Sequence, residues 1–290
     1  MKQQREMSKS VKSWIVICVV VAMASLGYRI LDRNHLEQSS LLFIGIPLFL
    51  SIALACAPKP KSATGVIMKG ITLALLLSGI LLIEGVVCIL MAAPLFYLVG
   101  GVIGHNVDRA KERKKLNSCI VGVLLVCSLE GVVDALSFER AESVTVECEV
   151  ELPIEEAREL LIQGPQFDLD EIPAFFRLGF PLPQSVEGRA GEKVIHFAGG
   201  EGEPGDLVLR VEEQEGDMIK YTCVRDESHI AHWLDWKTIT WSLREEGDNG
   251  CVVQIEMKYD RLLDPAWYFK PLERYGVKLA GEYLVDQTFE

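Results

Sequence analysis

The chain has 290 residues, 49% of them hydrophobic, and a formal net charge of −12. Residues 1–140 contain 15 Lys and Arg against 9 Asp and Glu, whereas residues 141–290 contain 14 against 32. The acidic second half disfavours nucleic acid as a partner, because phosphate binding needs a basic face, and it argues against that half lying on an anionic lipid surface. Charge asymmetry of this size indicates two environments, and we predict a membrane region over residues 1–138 and a soluble domain over residues 141–290.

The first half contains five apolar runs that approach the length of about 17–25 residues needed to cross a bilayer as a helix. Residues 66–104 decide the number of spans, because one helix of that length would measure about 58 Å at about 1.5 Å per residue. We therefore predict a hairpin that turns at Glu84-Gly85, a polar and turn-permissive point near its middle. The five predicted spans lie near residues 14–31, 40–57, 66–83, 86–104 and 118–136.

Positive charges favour the same topology. Lys and Arg residues cluster before the first predicted span, between the second and third, and between the fourth and fifth. The three clusters share one side only if the third and fourth spans form a hairpin, and the positive-inside tendency places that side in the cytoplasm. We predict an integral protein of the plasma (inner) membrane with a cytoplasmic N-terminus and an exoplasmic C-terminal domain. Two alternatives stay open: four spans with an inside C-terminus, and cleavage of the first run after Ala22-Met23-Ala24.

Two Glu-Gly-Val-Val repeats place carboxylates in this apolar half. Glu84 lies in "LLIEGVVCIL" and Glu130 in "SLEGVVDAL", with Asp134 one turn later on the same helix face. An ionisable residue at membrane depth is costly and needs a reason. The three carboxylates either reach headgroup water at the span ends or form a shared polar cluster that binds a cation or relays a proton.

The acidic half is long enough for one domain with its own core. "SVTVECEVEL" alternates apolar and polar residues and predicts a half-buried strand. "PIEEARELLIQ" predicts a helix that opens at Pro153, and "DEIPAFFRLGF" predicts a second, short one. Five or six strand-like runs follow between residues 185 and 260, separated by Gly, Asp and Asn.

The chain closes with a predicted helix after an initial turn that ends at Pro271. Its apolar residues recur at spacings of three and four, which places them on one helix face. They are Phe269, Leu272, Gly276, Leu279 and Tyr283.

This order of elements resembles the helix-grip fold of the START and polyketide-cyclase superfamily (SRPBCC). The stretches "VECEVELPIEEARELL", "ITWSLREEGDNGCVVQIEMKYD" and "PLERYGVKLAGEYLVD" are similar to it, and the resemblance covers about half the chain. It implies an α+β domain, in which a curved antiparallel sheet wraps the long C-terminal helix around an apolar cavity. Such cavities hold lipids, sterols, polyketides or other hydrophobic molecules, and some members are cyclases or hydrolases. The membrane half looks like that of membrane-tethered bacterial members of unknown function.

Several side chains of the acidic half are candidates for the wall of such a cavity. His196 alternates with Ile195 and Phe197 and could face it, while Gly276 could leave room for a ligand or let the helix approach the sheet. The candidates are His196, Trp236, Trp241, Met257, Tyr259, Phe269, Gly276 and Tyr283. His229 and His232 form only a weak metal-ligand pattern, because no cysteine accompanies them. The sequence predicts no metal, cofactor or catalytic residue.

The prediction from sequence is therefore a membrane protein whose C-terminal domain binds a hydrophobic small molecule or lipid. Two other classes stay open. An enzyme of the cyclase or hydrolase type would need a cavity carboxylate or His196 as an acid or base. An interaction or sensor protein would have a filled core and a binding outer surface. The fold alone does not decide among these classes.

Overall fold

A computed structural model of the chain describes residues 46–81, 86–111, 130–131, 137–189, 191–199, 203–247 and 250–289. The chain divides into two compact units, Met1–Val126 and Cys127–Glu290. The described part of the first unit consists of helices α1 (Ile46–Cys56), α2 (Ala63–Leu81) and α3 (Val86–Lys111).

Helices α2 and α3 pack antiparallel to each other at the positions of the predicted third and fourth spans. The backbone N–H groups of Ala63 and Thr64, which open α2, donate to the carboxylate of Asp108 near the end of α3, at 2.6 and 3.0 Å. Gly104 allows this approach, because a Cβ there would lie 2.5 Å from the Cα of Thr64. Halfway along the pair, the hydroxyls of Thr72 and Tyr97 form a hydrogen bond of 2.9 Å.

Within the described ranges, one helix is long and apolar enough to cross a membrane. It is the stretch Val87–Ala110 of α3, with a mean hydropathy of 2.2, and α2 contains a shorter apolar stretch, Ala63–Ser78. The structure therefore supports one candidate span, and the predicted bundle of five stays a prediction. The first predicted span lies outside the described residues, and so do Glu84, Asp134 and all of the fifth span except Glu130 and Gly131.

The second unit is built on a seven-stranded antiparallel sheet that is curled around a long C-terminal helix. In the sheet, the first strand lies beside the last, and the others follow in reverse chain order: β1-β7-β6-β5-β4-β3-β2. The strands are β1 (Ala141–Val150), β2 (Pro183–Arg189), β3 (Glu192–Phe197), β4 (Gly205–Glu215), β5 (Met218–Asp226), β6 (Leu234–Glu246) and β7 (Gly250–Arg261). Each strand-like run of the sequence forms one of these strands.

Two helices accompany the sheet, α4 (Ile154–Gln163) and α5 (Ala266–Phe289). One hydrophobic core joins inward residues of the strands to Ala157 of α4 and to Val277 and Val285 of α5. Helix α5 approaches the sheet closely at Gly281, where a Cβ would lie 2.5 Å from the Cε of Met257.

The structure differs from the predicted helices at three points. "DEIPAFFRLGF" contains only a 3₁₀ turn, Phe176–Leu178, which ends at Gly179 with φ of 117°. Pro271 lies inside α5 and does not end an initial turn, because the helix continues through it from Ala266 to Phe289. The buried face of α5 is rotated by about one position from the predicted face: Glu273 and Val277 are buried, whereas Leu272 and Gly276 are half-buried.

Candidate ligand cavity

An apolar cavity of about 110 Å³ lies inside the second unit. Its wall is formed by three groups of apolar side chains, contributed by the segment between α4 and β2, by the sheet with its β5–β6 connection, and by α5. The first group is Phe167, Ile172, Phe176, Phe180, Pro181, Leu182 and Pro183, the last of which opens β2; the second is Ile195, Phe197, Leu207, Ile230, Trp236, Ile239 and Met257; the third is Ala280, Tyr283 and Leu284.

Half-buried aromatic rings form one side of this cavity. The rings of Phe175 and Phe180 lie 4.9 Å apart, and Phe180 also contacts Trp233 edge-on at 5.1 Å. The ring of Phe175 contacts Tyr275 of α5 at 5.5 Å. Edge-to-face aromatic contacts with Tyr275 and Trp233 thus help to hold the segment from Phe175 to Phe180 in place.

Tyr283 fixes the other end of the same segment. Its hydroxyl donates to the backbone oxygen of Asp168 at 2.9 Å, and its ring stacks on Phe167 at 6.1 Å. Gln287, one turn later on α5, donates to the carboxylate of Glu171 at 2.8 Å. Burial raises the pKa of Tyr283 to about 12, so the hydroxyl stays neutral over the physiological range.

The eight candidates from the sequence separate into two groups. Trp236, Met257 and Tyr283 lie in the cavity wall. The wall does not include the other five, His196, Trp241, Tyr259, Phe269 and Gly276.

His196 contacts the Asp206 carboxylate, with Nδ1 at 2.7 Å from Oδ1. Trp241 lies in the wall of a second, smaller cavity. Tyr259 and Phe269 are buried elsewhere. A Cβ added at Gly276 would lie 3.4 Å from the ring of Phe175, and no atom of the sheet lies within 4 Å of that Cβ.

The second cavity has a volume of about 40 Å³ and contains a lysine. Lys193 on β3 donates to the backbone oxygen of Leu161 at 3.0 Å, and its ammonium lies 5.5 Å from the centre of the Tyr221 ring. Burial lowers the pKa of Lys193 to about 8.

Sequence reasoning missed Lys193, although the strand alternation contains the signal. Side chains of a strand point to one face at every second residue. Lys193, Ile195 and Phe197 therefore share the inner face, and His196 points to the other side.

Glu130 belongs to a buried ionic cluster at the start of α5. Its side chain is 4% exposed and lies 3.3 Å from the guanidinium of Arg261, which is itself fully buried. The other carboxylate oxygen accepts a hydrogen bond of 3.0 Å from the backbone N–H of Ala266, the first residue of α5. Asp264 completes the cluster, 2.7 Å from Arg261 and 2.6 Å from Arg140. Glu130 thus neutralises a buried arginine and the positive end of the helix dipole.

The curled antiparallel sheet, the long closing helix and the apolar cavity together give the second unit a helix-grip-like fold. A START superfamily protein from Mycobacterium smegmatis is similar over 50% of this chain and 96% of its own, at 12% identity and a TM-score of 0.35. Norcoclaurine synthase from Thalictrum flavum, solved with dopamine and hydroxybenzaldehyde, is similar over 50% of this chain and 85% of its own. The identity is 12% and the TM-score is 0.34. Ara h 8.0201 is similar over 50% of this chain and 99% of its own, at 13% identity and a TM-score of 0.32.

No family model matches the chain. No curated protein matches it either.

Proposed function

We propose that this is a membrane-anchored protein that binds a hydrophobic small molecule or lipid in the cavity of its C-terminal domain. The observation that carries the proposal is the cavity wall, which is formed by apolar and aromatic side chains of the sheet, of α5 and of the segment before β2. A ligand would bind by moving its apolar surface from water into this space, a gain of about 25 cal/mol per Å².

The volume limits the part of a ligand that the cavity holds in this conformation. A cavity of roughly 150 Å³ accepts benzene, whereas sites for drug-sized ligands measure about 300–1,000 Å³. The 110 Å³ found here therefore suits one ring or a short acyl segment. A larger ligand would require the half-buried Phe176 and Phe180 to move away from the cavity.

Filling the cavity is expected to remove the ligand. In the variant Ala280→Phe the added ring would occupy the space beside Tyr283 and Leu284, which line the same wall. The measurement is mass spectrometry of organic extracts from the full chain, purified in lipid nanodiscs. Bulk lipid is common to all samples, so a specific ligand is one that the wild type retains in stoichiometric amount and Ala280→Phe lacks.

The matched control places the same ring on the outer face of the same helix. Lys278 is 60% exposed, and Lys278→Phe should retain the ligand. Identical extracts from the wild type and both variants, together with no uptake of an apolar fluorescent probe, would contradict a binding function. The domain would then be better explained as a docking module for a partner protein.

The proposal includes the topology: five spans, a cytoplasmic N-terminus and an exoplasmic domain at the inner membrane. Alkaline phosphatase fused after Glu290 of the full chain should be active and green fluorescent protein at the same point should be dark, because phosphatase folds only outside the cytoplasm. The reverse pattern would favour four spans. Fusions at Lys61, between α1 and α2, should give the opposite signals and serve as the control.

A further inference from the structure

Lys193 carries a positive charge that the described residues leave without an acidic partner. Lys193 and Tyr221 are the ionisable side chains in the wall of the smaller cavity, and the shift of the Lys193 pKa comes from burial, with no carboxylate contributing. By contrast, the neighbouring Glu192 points away to an ion pair with Arg210 at 2.8 Å. Lys193 is half-buried, and a charge that is partly withdrawn from water is normally paired, because removing a cation from water is costly.

The contacts of Lys193 leave room for an anion. An ammonium has three N–H donors, and one of them is used by the oxygen of Leu161 in the last turn of α4. The Tyr221 ring contributes a cation–π contact at 5.5 Å. The carbonyl oxygen and the aromatic ring stabilise the charged ammonium only in part, and neither of them is an anion.

The lysine lies close to the main cavity. Ile195, Ile239 and Leu284 line both cavities, so the two spaces adjoin across these three side chains. A rotamer change in this partition would open the larger cavity of about 110 Å³ toward the one that contains Lys193.

We propose that the ligand is an amphiphile with a carboxylate, whose apolar body fills the main cavity and whose acid group pairs with Lys193. This inference rests on the proposed ligand-binding function and names the class of ligand. It predicts that the site selects an acid over the matched alcohol.

The test compares 4-phenylbutyrate with 4-phenylbutan-1-ol, two small probes with the same apolar body. Binding to the full chain in nanodiscs would be measured by titration calorimetry, with empty nanodiscs of the same lipid as the blank. The wild type should bind the acid at least tenfold more tightly than the alcohol. Lys193→Met should remove that preference without weakening the alcohol, and Lys193→Arg should restore it.

The pH dependence of the preference for the acid is a second test, because a lysine with a purely structural role would produce no such dependence. The preference for the acid should decline as the pH rises through about 8, because Lys193 then loses its charge. Burial raises the pKa of Tyr221 to about 12, so the tyrosine stays neutral in this range.

Three results would overturn the inference. Equal affinity of the wild type for acid and alcohol would show that the lysine does not select an anion. Equal weakening of both probes in Lys193→Met would assign Lys193 to holding the end of α4. If neither probe binds and no ligand is found in the wild type, the proposed function itself fails, and this inference fails with it.

Discussion

Replacing Glu130 with alanine is expected to lower the free energy of unfolding of the C-terminal domain by about 3 kcal/mol, since removing one partner of a buried ion pair costs roughly 3–5 kcal/mol. Arg261 is fully buried, and among the described residues Asp264 would be its remaining ion-pair partner. The backbone N–H of Ala266 would also lose its acceptor at the start of α5. Urea titration of the full chain in nanodiscs, followed by tryptophan fluorescence, would measure the loss.

The control is an ion pair of similar length on the surface. Arg210 is 60% exposed and pairs with Glu192 at 2.8 Å, so Arg210→Ala should cost about 1 kcal/mol or less. An unchanged urea midpoint for Glu130→Ala would contradict the buried cluster. It would favour the other interpretation of the sequence, in which this carboxylate reaches headgroup water at the end of a span.

Glu130 also shows what the sequence leaves hidden. Read locally, a carboxylate at the end of an apolar run suggests a span end or a polar cluster in the membrane. Its partner Arg261 lies 131 residues away, and no periodicity connects two positions that only the fold brings together. The pairing becomes visible once β7 returns beside β1, where Arg261 donates through its backbone N–H to the oxygen of Arg140 at 2.8 Å.

The strands could be predicted because their signal is local. In β7, Cys251, Val253, Ile255, Met257 and Tyr259 lie at every second position, with polar neighbours from Gln254 onward, and all five are buried. The face of the closing helix was predicted only in part: Phe269 and Tyr283 are buried, but the middle of the buried side is formed by residues that include Glu273 and Gly281. Hydropathy does not identify a buried glutamate or a close-packed glycine as core residues.

The cavity could be predicted only in part, because only some of its wall residues follow a local pattern in the sequence. The inward residues of the strands follow from the rule that every second side chain points to the same face. Applied strictly to β3, this rule would have placed Lys193, and not His196, on the cavity side. The aromatic side of the cavity follows no such rule: "PAFFRLGF" reads as a helix, whereas Phe175 and Phe180 are held in a loop by Tyr275 and Trp233. These contacts are tertiary, so the pattern in the sequence does not contain them.

The buried carboxyl of Glu273 is expected to lower the stability of the domain by about 3 kcal/mol as the pH rises from about 4.5 to about 7, because one pKa unit corresponds to about 1.36 kcal/mol. Burial of Glu273, 7% exposed on α5, raises its pKa to about 7 from an ordinary value near 4.5. The carboxylates of Glu142 and Asp264 raise the pKa further, while Arg261 opposes the shift.

The sign follows from the proton that the folded state retains. Below pH 4.5, Glu273 is protonated in both states and the folded state carries no penalty. Between pH 4.5 and 7 the unfolded chain releases the proton and the folded one keeps it, so unfolding becomes progressively easier. Above pH 7 the carboxylate is charged in both states, and the cost of burying it is complete.

Glu273→Gln separates this contribution from that of other titrating groups, because it keeps the shape and removes the charge. The variant should match the wild type at pH 5 within about 1 kcal/mol and exceed it by up to about 3 kcal/mol at pH 8, both from the same pKa shift. Urea titrations of the full chain at the two pH values would measure the difference. Glu282→Gln, a half-exposed position on the same helix, should leave the pH dependence of the wild type in place. If the stability difference between Glu273→Gln and the wild type were the same at pH 5 and pH 8, the raised pKa of Glu273 would be contradicted. Water or a counter-charge would then reach this carboxylate, and the packing at this end of α5 would be looser than the structure shows.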